Sequence, residues 1–345
     1  MLHAGGSSHF KKISILTNVT LEIVQKYNLK LFILCTNIDS KKYILKKLNK
    51  YDLSKNIYFI KYKEKLSNQL SKYDIVVGPA GTTTFEAIQS KTLPFSIPIK
   101  DDGRDSIVSW NDIGHLMHLN AKEKNKKEII LESWEYIIKN FNFLYNILYK
   151  NSKIIDGKGP ERVVNDIISS IKKKNKVKTK FKKKKFEICG LLDMRPFLES
   201  RNLKQVRLFS SQPKHIISWP EHVNWWHKKN IKKYRLVISN KVVAYHWVKI
   251  NSDLNGDYLT SGWFLSKEYG DNLRNSDMIL NFQSKIVKNN YKNLTWIITM
   301  SKKNSFVERL NRKYGFKNAT NFSIERVFKQ NGYLKKNFKV MEMKL

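Results

Sequence analysis

The chain has 345 residues, with 65 Lys or Arg against 29 Asp or Glu and a formal net charge of +36. Its 41% hydrophobic content is enough for packed cores, which excludes a disordered chain, and its length suits two domains. No run of about 18 apolar residues is present, so we expect no membrane-spanning helix. The two cysteines have no histidine cluster nearby, which predicts free thiols in a reducing cytoplasm and no metal site.

The positive charge allows a nucleic-acid partner, but its distribution makes that the weaker interpretation. Lysine is spread along the whole chain, and its one dense run is 172–185. A nucleic-acid-binding protein typically concentrates its charge on one face or interleaves it with stacking aromatic residues. We therefore interpret 172–185 as a basic, solvated linker between two domains, and the overall charge as suited to an anionic small ligand.

The region before this linker, 1–171, alternates short apolar runs with helical patterns. The apolar runs are 30–35, 57–62, 74–77 and 95–99, and the helical patterns are 20–27, 41–49, 66–72 and 83–90. A long amphipathic stretch at 128–149 and a helix at 161–171 follow. Alternation of this kind predicts an α/β, Rossmann-like domain with a parallel sheet covered on both faces.

The region after the linker, 186–345, has a different texture. Strands are predicted at 188–192, 257–265, 294–300, 323–328 and 337–345, with a hairpin of 234–238 and 241–250 across Ser239-Asn240. Helices are predicted at 276–289 and 305–314. Runs of strands with few inserted helices predict an α+β domain on a largely antiparallel sheet.

Three polar clusters in the first region have the composition of a phosphate-binding turn. Gly5-Gly6-Ser7-Ser8 precedes a helix, and small residues such as Gly6 and Ser7 let backbone amides approach a phosphate. The segment 77–86 joins a strand to a helix through Gly81, and there Thr82 or Thr83 is equally well explained as a helix N-cap. The third cluster, 155–162, is by itself a turn with a proline at a helix start.

In combination, the Gly-Gly-Ser, the Gly-Thr-Thr-Thr-Phe-Glu of 81–86 and the Asp-Gly-Lys-Gly-Pro-Glu-Arg of 156–162 resemble one family. It is the carboxy-terminal domain of the UDP-sugar hydrolases of pseudaminic acid biosynthesis, which are relatives of GT-B glycosyltransferases. The resemblance implies half of a GT-B fold, with UDP bound at Gly81, Thr82, Thr83 and Glu86.

The family carries an earlier domain with a Gly-x-Gly-His-x-x-Arg segment, which neither His3 nor His9 matches. We therefore expect no hydrolysis by this chain alone, with the other half supplied by a separate polypeptide or by a longer gene.

The segment 304–316 of the second region combines an amphipathic helix with a recognisable motif. Gly315 ends the helix. The segment resembles the motif of GNAT acetyltransferases, which implies acetyl-CoA as cofactor, with Asn304 and Lys313 on the cofactor side. The tyrosine of the motif, often the general acid, falls on Asn311, so we expect either that Tyr314 or water replaces it or that the activity is reduced.

Residues 201–226 resemble a pattern in GNAT enzymes that acetylate the 4-amino group of UDP-linked amino sugars. The resemblance implies that Trp225 and Trp226 stack on the acceptor substrate. It also implies a catalytic role for His222, which would orient that substrate. The alternative is a tryptophan pair in the core and a histidine held in a structural hydrogen bond.

GNAT enzymes also have a splayed strand followed by a pyrophosphate-binding loop, which fall here on 258–265 and 266–276. The loop matches loosely, because its second glycine is missing. The resemblance implies an oxyanion-binding amide near Trp263, Phe264 and Leu265, and Glu268 is proposed as general base. Loop residues expected at the cofactor phosphates are Lys267, Gly270, Asn272 and Arg274.

The leading hypothesis is an acetyltransferase of a UDP-linked amino-deoxy sugar in nonulosonic acid biosynthesis, fused to a hydrolase-like half domain. The first alternative is a non-catalytic protein that binds a sugar nucleotide or a partner. The second alternative is a basic protein associated with nucleic acid.

Overall fold

The computed structural model describes residues 1–5, 10–51, 53, 55–61, 67–99, 107–172, 184–210, 212–269, 276–331 and 337–345. The chain divides into two compact units. Unit 1 comprises Met1–Val177 with Ser218–Val223, and unit 2 comprises Lys178–Ile217 with Asn224–Leu345. The predicted linker, 172–185, spans the division at Val177. Of the described residues, no helix is long and apolar enough to cross a membrane.

Unit 1 is built on a parallel sheet. Its strands are β1 (Leu31–Cys35), β2 (Ile57–Lys61), β3 (Ile75–Pro79) and β4 (Leu93–Ile97). β1 pairs with β2 and β3 pairs with β4, both in parallel. Leu2 forms parallel bridges to Ile33 and to Val77, and so joins the two pairs into one sheet. These strands overlap the four predicted apolar runs, and the predicted parallel arrangement is confirmed.

Eight helices of unit 1 are described, and they alternate with these strands before continuing beyond them. They are α1 (Ser14–Lys26), α2 (Ile38–Leu48), α3 (Ser67–Leu70), α4 (Thr82–Gln89), α5 (Ile107–Asp112), α6 (Lys127–Lys139), α7 (Phe141–Asn151) and α8 (Gly159–Lys172). α1 packs against α6, and the Trp134 indole donates to Thr20 Oγ1 at 3.2 Å in that interface. The helix expected over 128–149 is broken at Asn140, whose backbone and side-chain nitrogens both bond the Tyr136 carbonyl.

Unit 2 contains a seven-stranded sheet in the order β10-β11-β9-β8-β7-β6-β5. The strands are β5 (Lys184–Ile188), β6 (Ile231–Ile238), β7 (Lys241–Asp253), β8 (Gly256–Leu265), β9 (Thr295–Ser301), β10 (Lys317–Asn318) and β11 (Phe338–Lys344). Every pair is antiparallel except β8 with β9, which confirms the largely antiparallel sheet. The predicted hairpin turn at Ser239-Asn240 has φ of 52° and 65°, the left-handed values of a type I′ turn.

The parallel pair β8 and β9 separates along its length. Its register runs only from Tyr258 opposite Thr295 to Thr260 opposite Ile297. β8 continues to Leu265 and stays paired with β7 throughout, whereas β9 continues to Ser301 and stays paired with β11. The sheet therefore opens between the carboxyl-terminal halves of two neighbouring strands, at the strand that the sequence predicted to splay.

Five helices of the described part of the chain belong wholly to unit 2, and a sixth, α11 (Trp219–Trp226), is divided between the units after Val223. The five are α9 (Met194–Arg201), α10 (Lys204–Arg207), α12 (Ser276–Asn290), α13 (Ser305–Lys313) and α14 (Asn321–Asn331). Phe197 of α9 contacts Phe264, whereas Ile279 of α12 packs with Leu265. Because successive strand residues point to opposite faces, α9 and α12 cover opposite sides of β8.

Two strand predictions in unit 2 are wrong. The segment 323–328 belongs to helix α14, because Ile324, Val327 and Phe328 follow helical spacing and pack in one cluster with Tyr258. The strand expected at 188–192 ends at Ile188, after which Leu191–Asp193 forms a 3-10 turn.

Candidate functional site

A cavity of about 820 Å³ occupies the opening between β8 and β9 in unit 2. Its walls include consecutive residues of β8 from Thr260 to Leu265 and of β9 from Ile298 to Ser301. Since consecutive strand side chains point to opposite faces, the cavity passes through the sheet from one face to the other. The helices contribute further lining residues, among them Arg201, Trp225, Leu280, Gln283, Asn304, Val307 and Asn311.

Backbone amides of β8 face this opening. The Ser266 N–H donates to the Val243 carbonyl at 2.9 Å, and the β7–β8 register is regular from there to Gly256. In an antiparallel pair, alternate residues bond the partner strand. Phe264 therefore bonds β7, whereas the N–H groups of Trp263 and Leu265 point to the opposite side, into the gap. Two of the three amides predicted near the oxyanion thus have the required direction.

The α9 side of the cavity has an aromatic wall. The Trp225 and Trp247 rings meet edge to face, with centroids 6.2 Å apart. Gly262 lies opposite Trp247 in the register, and a Cβ atom at Gly262 would come within 2.9 Å of that indole. The missing side chain of Gly262 therefore lets Trp247 lie against β8. The sequence predicted Trp225 here, but not Trp247 or Gly262, because neither stands in a motif.

The lining charges have one sign. Of the described lining residues, only Arg201 and Lys249 are charged, and none is a carboxylate, an imidazole or a phenol. Burial, followed by repulsion from Lys228, lowers the pKa of Lys249. The cavity is therefore suited to a ligand that carries negative charge, and among its described walls Lys249 is the one side chain of a usual acid–base type.

Helix α13 borders the cavity on the α12 side. The Asn304 side chain caps this helix by accepting from the Val307 N–H at 3.2 Å, and it also lines the cavity. Asn311, at the position of the motif tyrosine, is buried and lines the cavity, and its side-chain amide donates to the Met300 sulfur at 3.7 Å. An amide therefore takes the place of the expected phenol.

One buried donor in the cavity wall is unsatisfied. The Gln283 side chain on α12 is 1% exposed, and its Nε2 has no hydrogen-bond partner among the described residues. A buried polar atom without a partner is uncommon in native proteins. No motif in the sequence marks this glutamine.

Several predicted catalytic and cofactor residues lie away from the cavity lining. The Tyr314 hydroxyl donates to the Asp277 carboxylate at 3.0 Å, and burial together with that carboxylate raises the pKa of Tyr314 to about 12. The Lys313 ammonium also binds Asp277, at 2.7 Å, whereas that of Lys267 binds Glu199 at 2.9 Å. These contacts hold both lysines and the tyrosine in surface ion pairs rather than in the cavity.

Three more predicted residues also lie outside the lining. Glu268 is exposed. His222 is 2% exposed and groups with unit 1. Trp226 is 6% exposed and meets Phe197 edge to face, so this member of the tryptophan pair is core, as the alternative interpretation held. Five other predicted residues, Gly6, Ser7, Gly270, Asn272 and Arg274, lie outside the described residues.

The predicted nucleotide turn of unit 1 lies at the carboxyl end of β3. α4 begins at Thr82 with Gly81 as its N-cap, and Thr84 Oγ1 accepts from the Gly81 N–H at 3.3 Å. The cap is therefore neither Thr82 nor Thr83, which the sequence left as alternatives. Gly81 and Thr82 are exposed, whereas Thr83 and Glu86 are half-buried. Nucleotide binding by these residues stays a prediction.

Unit 1 also contains a buried polar cluster that the sequence did not reveal. The Ser96 hydroxyl lies 2.7 Å from His115 Nε2 and 2.7 Å from His118 Nδ1. All three side chains are buried, and burial lowers the pKa of His115 to about 3. Asn111 is also buried, and its side-chain amide has no partner among the described residues. His115 is therefore neutral, and the cluster forms part of a polar interior beside β4.

Comparisons with known proteins give structural matches only: no protein-family model matches the sequence, and no curated protein does. A domain from Methanocaldococcus jannaschii matches with 18% identity and a TM-score of 0.38, over 48% of this chain and 100% of the domain. Spermidine N-acetyltransferase from Vibrio cholerae, in complex with CoA and spermine, matches with 11% identity and a TM-score of 0.37, over 46% of this chain and 94% of the enzyme. A GNAT-family acetyltransferase from Streptococcus pneumoniae matches with 12% identity and a TM-score of 0.36, over 47% of this chain and 98% of the acetyltransferase.

Proposed function

We propose that unit 2 is a GNAT-type N-acetyltransferase that moves an acetyl group from acetyl-CoA to an amino group of a UDP-linked amino-deoxy sugar. The observation that carries the proposal is the opening between β8 and β9, with the amides of Trp263 and Leu265 facing a cavity of about 820 Å³. Unpaired strand amides at such a gap bind extended ligands that carry alternating hydrogen-bond donors and acceptors. The pantetheine arm of coenzyme A is a ligand of this kind.

The chemistry asked of this site is limited. The acceptor nitrogen attacks the thioester carbonyl, a C–N bond forms, the C–S bond breaks and the thiolate leaves. Negative charge develops on the carbonyl oxygen, where the N–H group of Trp263 or Leu265 stabilises it as an oxyanion-hole donor. The proton lost by the nitrogen passes to solvent water, and the thiolate takes a proton from water, because the described walls hold no carboxylate, imidazole or phenol and Lys249 is assigned to the acceptor's diphosphate.

Charge and aromatic surface support a sugar nucleotide as the acceptor. The lining charges, Arg201 and Lys249, attract a diphosphate and repel a polycationic amine. The Trp225 and Trp247 rings, set edge to face, offer an apolar surface on the same side of the sheet as Lys249, and a pyranose or a base packs on the face of one ring. We place the reaction in nonulosonic acid biosynthesis, as the sequence resemblances of both units imply, with unit 1 as a UDP-sugar-binding half domain.

The second candidate is a protein that binds the same ligands without catalysis. Asn311 stands where a phenol is expected, and the Tyr314 hydroxyl is engaged by Asp277. This candidate predicts binding of acetyl-CoA without release of thiol.

Calorimetric titration with acetyl-CoA tests the binding step. Leu265→Pro removes one N–H that faces the gap and leaves the β7–β8 hydrogen bonds in place, because that N–H points away from β7. We expect the wild-type chain to bind acetyl-CoA, and the variant to bind at least tenfold more weakly with an unchanged circular dichroism spectrum. Equal affinity of the two folded proteins would place the cofactor elsewhere.

A further inference from the structure

Gln283 is the polar side chain of α12 that is both buried and part of the cavity lining. The helix buries Ile279, Leu280 and Val287 together with Ser276, Gln283 and Ser284, and the two serines do not line the cavity. Leu280 and Gln283 both line the cavity. At 1% exposure, the Nε2 hydrogens of Gln283 have no acceptor among the described residues.

This arrangement is costly in the unliganded protein. A buried donor without an acceptor destabilises a fold by the desolvation of that group. A methionine at position 283 would fill a similar volume without that cost and would match the apolar neighbours of α12. A donor placed in a cavity wall under these conditions is explained if the ligand of the cavity brings the acceptor.

The position of Gln283 selects the ligand. α12 covers the face of β8 that carries Leu265, opposite the face on which Trp247 and Lys249 lie. The sugar nucleotide of the proposed function lies against Trp247, so the α12 side is left to the acyl donor. An amide N–H needs an oxygen acceptor, and the acyl-pantetheine arm carries carbonyl oxygens at its amides and at its thioester.

We propose that Gln283 is a positioning residue, whose Nε2 donates a hydrogen bond to a carbonyl oxygen of the bound acyl-pantetheine arm. This inference rests on the proposed function, because it requires acetyl-CoA in the cavity. It assigns Gln283 two opposite effects: the amide destabilises the empty protein and stabilises the complex.

Gln283→Met tests both effects in the chain of 345 residues. We expect the unliganded variant to unfold at an equal or higher urea concentration than the wild type, and acetyl-CoA to bind about tenfold more weakly, which corresponds to one hydrogen bond. Ser284→Ala, at a neighbouring buried position of α12 outside the lining, is the matched control and should leave the affinity unchanged. Gln283→Glu keeps the shape but replaces the donor, and should weaken binding at least as much.

Comparing the affinities for acetyl-CoA and for CoA distinguishes the thioester carbonyl from the amide carbonyls of the pantetheine arm as the acceptor. A loss for acetyl-CoA alone assigns the bond to the thioester, and an equal loss for both assigns it to a pantetheine amide. Either result supports the proposal. Affinity of Gln283→Met within twofold of the wild type for both ligands, or a lower unfolding midpoint, would overturn it. Failure of the wild-type chain to bind acetyl-CoA would instead overturn the proposed function, and this inference with it.

Discussion

Gly262 and Trp247 determine the shape of the aromatic wall through a single absent methyl group. A Cβ atom at position 262 would stand 2.9 Å from the Trp247 indole, closer than real Cβ contacts come. Gly262→Ala must therefore displace Trp247 from the acceptor side of the cavity. We expect the KM of the amino-sugar acceptor to rise about tenfold, the equivalent of ~1.4 kcal/mol, while the affinity for acetyl-CoA changes less than twofold.

Gly190→Ala is the matched control for this substitution. Gly190 belongs to unit 2, and a Cβ atom there meets nothing within 4 Å. Its kinetics should equal those of the wild type. An unchanged acceptor KM in Gly262→Ala would show that Trp247 does not contact the acceptor.

His246 makes the stability of unit 2 depend on pH. Neither ring nitrogen has a partner among the described residues, and burial lowers the pKa of His246 to about 3. The unfolded chain takes up this proton below about pH 6.5, whereas the folded chain does so only near pH 3, so stability is lost as the pH falls between these values. At pH 5 the histidine costs roughly 2 kcal/mol.

His246→Phe keeps the ring stacked on Tyr234 and removes the titration. Urea unfolding, followed by tryptophan fluorescence, should show a loss between pH 7.5 and pH 5 that is roughly 2 kcal/mol smaller than in the wild type. An identical loss in the two proteins would mean that His246 is protonated in the folded state.

The absence of a carboxylate, an imidazole or a phenol from the described cavity lining predicts how the rate depends on pH. If only solvent water removes the proton, the acceptor must react as its free amine. The kcat/KM for the acceptor should then rise with pH and level off at the pKa of the acceptor's own amino group. Two acceptors of different amine pKa separate the possibilities: the inflection should move with the acceptor, and an inflection common to both would reveal a catalytic group of the protein.

At the scale of elements, α13 joins helix capping to the cavity wall. Asn304 both caps the helix and lines the cavity. Asn304→Ala should lower the free energy of unfolding by about 1 kcal/mol, whereas Asn304→Ser retains a cap and should change it by only a few tenths. If the amide of Asn304 also contacts acetyl-CoA, as the motif implies, both variants should lose affinity equally.

Asn37 provides the control, because it caps α2 in unit 1 by accepting from the Ser40 N–H at 2.8 Å. Asn37→Ala should cost similar stability and leave acetyl-CoA binding unchanged. Affinity loss in Asn304→Ala but not in Asn304→Ser would restrict Asn304 to its structural role.

The elements that the sequence predicted well are those fixed by local chemistry. The two residues Ser239-Asn240 tolerate left-handed φ and so determine the β6–β7 hairpin, and Gly315 with φ of 98° follows α13 as predicted. The wrong strand predictions fall on short apolar segments whose residues fit the periodicity of a strand as well as that of a helix. Ile324, Val327 and Phe328 suit a strand by composition, and only their packing against the sheet makes 323–328 helical.

The sequence predicted the parts of the candidate site that local motifs mark. It did not predict the parts that depend on contacts between residues far apart in the chain. The motif at 304–316 and the strand at 258–265 located the gap. Trp247 and Gln283 were missed because their roles arise from β-strand register and helix packing between residues far apart in sequence. Tyr314 was misplaced because its partner Asp277 lies 37 residues away in the chain.

At the scale of the whole molecule, the chain combines a charge of +36 with a division into two units. A lining whose described charges are both positive agrees with an anionic acceptor and with coenzyme A. The nucleic-acid alternative predicts instead that the protein is retained tightly on DNA or RNA and that this retention weakens steeply with rising salt concentration. Such retention together with a lack of acetyl-CoA binding would favour that alternative.

The most direct measurement of the central claim is thiol release from acetyl-CoA in the presence of a UDP-4-amino-4,6-dideoxy sugar. We expect turnover by the wild-type chain that requires the amino sugar and falls strongly in Leu265→Pro. Absence of both thiol release and heat of acetyl-CoA binding would contradict it, and would leave unit 2 as a fold without the proposed activity.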